Sequence, residues 1–114
     1  MTAPCRERAA AASPPRQCRA ATGVIAIAAL DGVRIVDLTW GAHGPLGVML
    51  LSEHGADIVK VEPPGGDPYR DAPQYRVWNR GRRSVELDLK AAVGRGQLLA
   101  LLETADVLVE SFRP

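Results

Sequence analysis

Residues 33–62, VRIVDLTWGAHGPLGVMLLSEHGADIVKVE, decide the fold of this chain. The run VRIVDL (33–38) is rich in β-branched residues and has the length of a buried strand. After a glycine- and proline-rich turn, LGVMLLSEH (46–54) predicts a helix that Gly55 can end in the left-handed conformation. DIVKVE (57–62) predicts a second strand. This order predicts two parallel strands joined by a right-handed crossover.

The alternation of strands and helices continues downstream. PPGGDPYRDAPQY (63–75) predicts a long irregular loop, and such a loop inside a compact domain usually has a function. RSVELDLK (83–90) alternates like a strand, and AAVGRGQLLALLETA (91–105) predicts a helix with two weakening glycines. VLVES (107–111) predicts a last buried strand. The fold class is therefore α/β, with a largely parallel sheet.

Residues 1–29 differ in composition from the rest of the chain. They contain four arginines and a single acidic residue, Glu7, with alanines and prolines between them. Because large apolar side chains are few, burial cannot offset the entropy of ordering this segment. We predict a disordered extension or a start codon placed too early, although such a leader also resembles a transit peptide. The predicted domain occupies residues 30–114.

Charge and cysteine content narrow the classes of function. The 114-residue chain has a formal net charge of +1, so neither nucleic acid nor a membrane surface is predicted as a partner. Its two cysteines, Cys5 and Cys18, provide no disulfide framework and no metal-ligand spacing. The apolar run VIAIAAL (24–30) is too short to cross a bilayer. We expect a cytoplasmic protein without a metal site.

The turn after the first strand is a candidate anion site. Loop 39–44 leaves the carboxyl end of a strand and enters a helix N-terminus, where free N–H groups and the helix dipole favour an anion. Gly41, Gly44 and Gly47 are spaced G-x-x-G-x-x-G. This differs from the dinucleotide fingerprint G-x-G-x-x-G, so a nicotinamide cofactor is disfavoured.

Three stretches of the chain together resemble the N-terminal part of the family III CoA-transferases, the CaiB/BaiF group. They are LDGVRIVDLTWGAHGPLGVMLLSEHGADIVKVEPPGGDP (30–68), NRGRRSVELDLK (79–90) and ADVLVESFRP (105–114). The resemblance implies a Rossmann-like large domain that binds coenzyme A (CoA), in enzymes that form interlocked homodimers. It also implies transfer of CoA between carboxylic acids through an aspartate that is acylated and then carries CoA as a thioester. A racemase branch exchanges the α-proton of 2-methylacyl-CoA on the same scaffold.

The resemblance further implies contacts to CoA at ten positions near the strand ends. These are Ala42, His43, Pro63, Leu87, Asp88, Leu89, Lys90, Ser111, Phe112 and Arg113. CoA or acyl-CoA is then expected as a substrate, without a covalently bound cofactor. Some family members carry glutamine at the position of Ala42 and arginine at that of Pro63, and those polar contacts would be absent here. Where many members have asparagine, Ser111 provides a single hydroxyl donor.

Arg80, Arg82 and Arg83 are candidates for contacts to the phosphates of CoA. The forked guanidinium suits phosphate oxygens, and a charge-assisted hydrogen bond contributes roughly 1.5–3 kcal/mol. The alternative is a solvated charged turn paired with Glu86 or Asp71, which contributes about 0–1 kcal/mol. The sequence leaves both interpretations open.

Three other notable side chains are interpreted as structural. Glu62 lies about 20 residues beyond the glycine turn, where Rossmann proteins keep a ribose-binding acid. The 3′-phosphate of CoA would repel a carboxylate there, so a structural role is expected. Trp40 and Trp78 could shelter a thioester, but each is predicted to cover the core.

The resemblance places the acyl-accepting aspartate beyond Pro114. Neither Asp37, Asp88 nor Asp106 matches its position, so no catalytic residue is expected in this chain. We expect an incomplete N-terminal part of the family's large domain, without transfer activity in isolation. VLVES is then expected to leave an open apolar edge. The alternatives are a racemase-type fragment, a non-catalytic nucleotide- or CoA-binding module, and a non-functional remnant.

Overall fold

The computed structural model of the protein describes residues 28–113. The elements in chain order are β1 (Arg34–Leu38), α1 (His43–Glu53), β2 (Asp57–Glu62), α2 (Tyr75–Trp78), β3 (Arg83–Glu86), α3 (Ala92–Leu102) and β4 (Val107–Glu110). The interpretation of residues 1–29 as an extension falls almost wholly outside the described residues, as do both cysteines. No helix within residues 28–113 is long and apolar enough to span a membrane.

The four strands form one sheet in the order β3-β2-β1-β4, and all neighbouring strands are parallel. In the centre of the sheet, Val36 of β1 lies opposite Val59 of β2 and Leu108 of β4. The predicted α/β class with a parallel sheet is confirmed. Because the strands are parallel, their carboxyl ends lie along one edge, which is where open α/β sheets bind ligands.

Helix α1 covers one face of the sheet. Its buried Val48 packs with Ile35 of β1 and Ile58 of β2. The helix begins three residues before the predicted start and contains the buried Pro45 in its first turn, where a missing N–H has no cost. Gly55 follows the helix with a φ of 101°, the left-handed conformation that the sequence predicts for it.

Helix α3 covers the opposite face, which is apolar. The cluster contains buried residues from the strands and the turn after β3, together with half-buried leucines of α3: Val36, Leu38, Val61, Leu87, Leu98, Leu101 and Leu102. The three leucines Leu98, Leu101 and Leu102 of α3 therefore face the sheet. The helix is shorter than predicted, since it ends at Leu102 rather than Ala105.

The predicted third strand, residues 83–90, is wrong in its second half. Strand β3 ends at Glu86, and Leu87 makes one more backbone hydrogen bond, from its N–H to the carbonyl of Glu62. The Asp88 carboxylate then accepts a hydrogen bond from the N–H of Lys90 at 3.0 Å. This side-chain contact competes with the ladder and turns the chain towards α3.

The predicted last strand is present as β4, Val107–Glu110, but the prediction that it is buried is wrong. Strand β4 lies at the edge of the sheet and pairs only with β1 among the described residues. Val107 and Leu108 are therefore 42% and 45% exposed. The open apolar edge expected from the sequence is present in this part of the chain.

The long connection after β2 is less irregular than predicted. Residues 63–74 form successive turns, and Gly65 and Gly66 both adopt positive φ angles, of 89° and 90°. The connection then enters the short helix α2, which the sequence did not predict. Its placement brings Tyr75 and Arg70 over the end of β2, beside Glu62.

Candidate functional site

A groove of 530 Å³ opens at the carboxyl edge of the sheet. Its sides come from the ends of β1 and β2, the connection after β2, the turn after β3 and the segment after β4. The volume lies within the roughly 300–1,000 Å³ typical of small-molecule sites. A space of the size of a small-molecule ligand therefore lies at the carboxyl ends of the parallel strands, where open α/β sheets bind ligands.

Six of the ten positions predicted to contact CoA line this groove. They are Pro63, Leu87, Asp88, Leu89, Lys90 and Phe112. The other four, Ala42, His43, Ser111 and Arg113, are exposed and lie outside its lining. The structure thus brings together the residues after β2, β3 and β4, while the start of α1 lies to one side. Contact of each position with CoA stays a prediction.

Eight groove residues were not among the predicted CoA contacts, although two of them, Thr39 and Trp40, lie in the turn predicted as an anion site. The eight are Leu38, Thr39, Trp40, Val61, Glu62, Pro64, Asp67 and Pro68. Most of them directly follow or end a strand, so the rule that ligands bind at strand carboxyl ends could have found them. The prediction that Trp40 covers the core is wrong, because its side chain is 47% exposed at the groove.

The turn after β3 is held against the start of α3. A Cβ atom at Gly94 would lie 2.0 Å from the carbonyl oxygen of Asp88, so only glycine allows this approach. Arg95 donates from Nη1 to the carbonyl oxygen of Lys90 at 2.8 Å. The glycine that weakens α3 therefore has a packing function, since it fixes one side of the groove.

The turn after β1 is held by side chains on both sides. Thr39 donates from its backbone N–H and its hydroxyl to Asp37 Oδ1, at 2.8 and 2.6 Å. The N–H of Trp40 donates to Ser111 Oγ at 3.3 Å. Ser111, predicted as a ligand contact, thus positions Trp40. Gly44 packs so closely on Thr39 that a Cβ there would lie 2.5 Å from the threonine Cβ.

A buried ion pair joins the groove residue Asp67 to Lys60 of β2. Lys60 Nζ is 2.9 Å from Asp67 Oδ2, and their side chains are only 2% and 3% exposed. The same ammonium donates to the carbonyl oxygen of Thr39 at 2.8 Å. Lys60 therefore neutralises a groove carboxylate and also fixes the backbone of the turn that contains Trp40.

Glu62, the second buried carboxylate of the groove, is also paired. It forms an ion pair with Arg70 and accepts a hydrogen bond from the Tyr75 hydroxyl at 2.5 Å. Burial and this hydrogen bond raise the pKa of Tyr75 above its ordinary value of 10.0, so the hydroxyl remains a donor. These contacts agree with the structural role expected for Glu62.

The three arginines of the segment NRGRRS do not line the groove. Each has an acidic partner: Arg80 pairs with Glu53, Arg82 with Asp37 and Arg83 with Asp57. None of these partners is the Glu86 or Asp71 considered from the sequence. Arg83 begins β3 and so lies near the amino edge of the sheet, away from the groove. Their contact with a CoA phosphate stays a prediction.

The sequence of the chain matches a known protein family. The family model described as CoA-transferase family III matches residues 30–114. The chain belongs to CoA-transferase family III. The resemblance drawn from its three motif stretches is confirmed. The matched range coincides with the predicted domain, and the limits of that domain stay a prediction.

Two relatives of this family III chain carry the name CoA-transferase. Succinyl-CoA:mesaconate CoA-transferase of Haloarcula hispanica is 45% identical over 98 residues, and the match covers 75% of this chain. Formyl-CoA:oxalate CoA-transferase of Rhodopseudomonas palustris is 44% identical over 96 residues, again covering 75% of this chain. The matches cover only 25% and 23% of these relatives, so the chain spans about a quarter of their length.

Solved structures show the same fold. The crystal structure of Rv3272 from Mycobacterium tuberculosis superposes with a TM-score of 0.73 at 43% identity, covering 75% of this chain and 24% of that one. A CaiB/BaiF family protein from Brucella suis gives a TM-score of 0.69 at 34% identity, covering 74% and 26%. The family III chain therefore shares both fold and sequence with about a quarter of each structure.

Proposed function

We propose that residues 30–114 form the CoA-binding part of an acyl-CoA:carboxylate CoA-transferase. The observation that supports this proposal is the groove at the carboxyl edge, which six of the ten family contact positions line. The transferase names of the relatives support the same reaction class. The proposal concerns binding by this segment, and transfer is assigned to the longer enzymes of the family.

The groove offers complementary surfaces to the two ends of CoA. Its apolar side chains, among them Val61 and Leu89, suit the pantetheine arm and the adenine ring. Lys90 supplies an exposed cation for a phosphate. The nearby start of α1 has no side-chain cap and no acidic residue in its first turn. Its N–H groups and dipole would therefore favour a second phosphate.

The buried carboxylates of the groove are poor candidates for the acyl acceptor. A nucleophilic carboxylate must approach the thioester carbonyl to within about 3–3.5 Å. Asp67 is held by Lys60, and Glu62 by Arg70 and Tyr75. Freeing either would leave a buried cation or donor without its partner. Asp88 is an exposed groove carboxylate, but it does not match the position of the family's acyl acceptor. We infer that an aspartate outside residues 28–113 accepts the acyl group, and that this segment positions CoA for it.

Calorimetric titration of the full 114-residue chain with CoA, dephospho-CoA and ATP tests the proposal. CoA should bind most tightly, because only CoA has the 3′-phosphate together with the pantetheine arm. The variant Lys90→Gln should weaken CoA binding about tenfold, the loss expected for one charge-assisted bond. Arg34→Gln is the matched control, since Arg34 begins β1 at the opposite edge of the sheet and pairs with Asp57 outside the groove, so its loss should leave the affinity unchanged.

Two results would contradict the proposal. Equal affinities for CoA and ATP would indicate a general nucleotide-binding module. Absence of CoA binding in a sample that unfolds cooperatively on heating would exclude CoA binding by this segment. The unfolding transition is measured first, so that a failure to fold is not mistaken for a failure to bind.

A further inference from the structure

A second cavity, of 230 Å³, lies between α2 and the β2–β3 side of the sheet. We call it the α2 cavity. It shares no lining residue with the groove at the carboxyl edge. Four of its lining residues are cationic: Lys60, Arg76, Arg82 and Arg83. Asn79, Tyr75 and Ser84 complete the lining, and no carboxylate from residues 28–113 belongs to it.

The charge of this cavity is not balanced within the described part of the chain. Lys60, Arg82 and Arg83 each have a carboxylate partner outside the cavity lining. Arg76 has no acidic partner among residues 28–113, and it is exposed. One positive charge therefore remains after pairing, and a single negative charge would balance it.

Arg82 supplies an independent observation. Its side chain is 1% exposed, and Nη1 donates to Asp37 Oδ2 at 2.8 Å and to Asn79 Oδ1 at 3.1 Å. Nη2 donates to the carbonyl oxygen of Pro45. The remaining donor, Nε, is buried and has no hydrogen-bond partner among the described residues. A buried donor without an acceptor is unfavourable, and Arg82 lines the cavity. An acceptor bound in the cavity would therefore stabilise the protein once a small side-chain movement brings Nε within its reach.

The size of the cavity limits the ligand. Its 230 Å³ equals on the order of seven to eight water molecules at liquid density and is below the roughly 300–1,000 Å³ of sites for larger ligands. A whole CoA molecule does not fit. A phosphate or a short carboxylate fits, and guanidinium groups bind both through paired oxygens.

We propose that the α2 cavity binds one small oxoanion, a phosphate or a short carboxylate. Arg76 supplies the balancing charge, and a small movement of the Arg82 side chain would let Nε donate to one of the anion's oxygens. Arg83 can also contribute, because its pair with Asp57 is half exposed, and such surface pairs are weak. Two arginines of the NRGRRS segment, Arg82 and Arg83, would thus form part of an anion site outside the groove.

Titration of the full chain with sodium phosphate and with sodium acetate, followed by amide NMR, tests this site. Sodium chloride at equal ionic strength provides the reference. Phosphate, acetate or both should shift the amide signals of Asn79 and Ser84 in a saturable manner, and chloride should not. A response to only one of the two identifies the ligand class, and either result supports the site.

Three variants separate this site from the groove. Arg76→Gln should lower the affinity for the anion at least tenfold, because the substitution removes the balancing positive charge. Arg80→Gln is the matched control, since this neighbouring arginine does not line the cavity and its loss should change nothing. Lys90→Gln should also leave the anion affinity unchanged, because Lys90 belongs to the groove.

The proposal is overturned if chloride produces the same shifts as phosphate and acetate. It is also overturned if Arg76→Gln binds the anion as tightly as the parent chain. Anion titration and CoA titration use different ligands and different lining residues. Failure of the anion site would therefore leave the CoA proposal standing, and the reverse also holds.

Discussion

The two faces of the sheet are built from different chemistry. On the face covered by α3, the buried strand residues are valines and leucines such as Val36, Leu38 and Val61. On the face covered by α1, apolar packing is limited to the cluster around Ile35, and the strands continue with the buried Asp37, Lys60 and Glu62. One sheet therefore combines an apolar face with a face built on charge pairs.

This difference assigns two tasks to the two faces: the α3 face stabilises the sheet, and the α1 face positions the turns at its carboxyl edge. Apolar contacts have no preferred direction, so the α3 face can stabilise the sheet without specifying the turns at its edge. The charge pairs are directional, and their side chains also hold the backbone of the groove residue Thr39. Asp37 holds the N–H of Thr39, and Lys60 holds its carbonyl. The α1 face should therefore tolerate substitution less than the α3 face.

The largest expected effect on stability comes from comparing a methionine substitution on the α1 face with one on the α3 face. Lys60→Met leaves Asp67 as a buried carboxylate without its cation, so the free energy of unfolding should fall by about 3–5 kcal/mol. On the α3 face, Leu102→Met conserves volume and should lower it by less than about 1.5 kcal/mol. Urea denaturation of both variants measures the difference.

A double variant tests whether the charge pair causes this effect. Lys60→Met combined with Asp67→Leu removes both charges and should recover most of the lost stability, because an apolar pair of similar volume often replaces a buried ion pair without cost. Equal losses for Lys60→Met and Leu102→Met would show that the two faces do not differ as proposed.

A smaller effect on stability is expected at α3, where Gly94 packs against the backbone of Asp88. Gly94→Ala places a Cβ against the Asp88 carbonyl and should destabilise the protein by about 1–3 kcal/mol. Gly96→Ala is the matched control, since nothing lies within 4 Å of its added Cβ. It should stabilise α3 by about 0.5–1 kcal/mol. Thermal unfolding of both variants decides this, and shifts of the same sign would contradict it.

The smallest expected effect is a pH dependence from the α1 face. The pKa of Tyr75 is raised by burial and by Glu62, so the folded state keeps its proton when the unfolded chain loses it near pH 10.0. Stability from this group is complete below that pH and is lost as the pH rises above it. Above pH 10.0 the free energy of unfolding should therefore fall with rising pH, by up to about 1.4 kcal/mol per pH unit.

Urea denaturation between pH 8 and about pH 11 measures this slope. Tyr75→Phe should remove the contribution, whereas Tyr69→Phe, which changes an exposed tyrosine, should retain it. An unchanged slope in Tyr75→Phe would show that the Glu62 contact does not set the pH dependence.

The central β1–α1–β2 unit could be predicted from the sequence because its signals are local. Pro45 suits a first helical turn, and Gly55 suits a helix end, whatever surrounds them. The end of β3 could not be predicted in this way. The run from Val85 to Leu89 alternates like a strand, but the contact of Asp88 with Lys90 ends the ladder.

The polar face was hidden because no periodic pattern connects its charged partners. Glu62 and Arg70 are 8 residues apart, whereas Asp37 and Arg82 are 45 apart, and both arginines lie outside the strands that carry the carboxylates. The spacing of Lys60 and Glu62 was the one available signal, since residues two apart in a strand share a face. Two charges on one face of an otherwise apolar strand indicate buried partners.

The central position of β1 has a consequence for the order of assembly. It pairs Ile35 with Ile58, 23 residues away, and also with Val107, 72 residues away. Closing the longer loop costs about 1 kcal/mol more chain entropy, because the cost grows with the logarithm of loop length. The nearer neighbour therefore has the kinetic advantage, and the outer strand docks onto a nucleus that its predecessors have already formed.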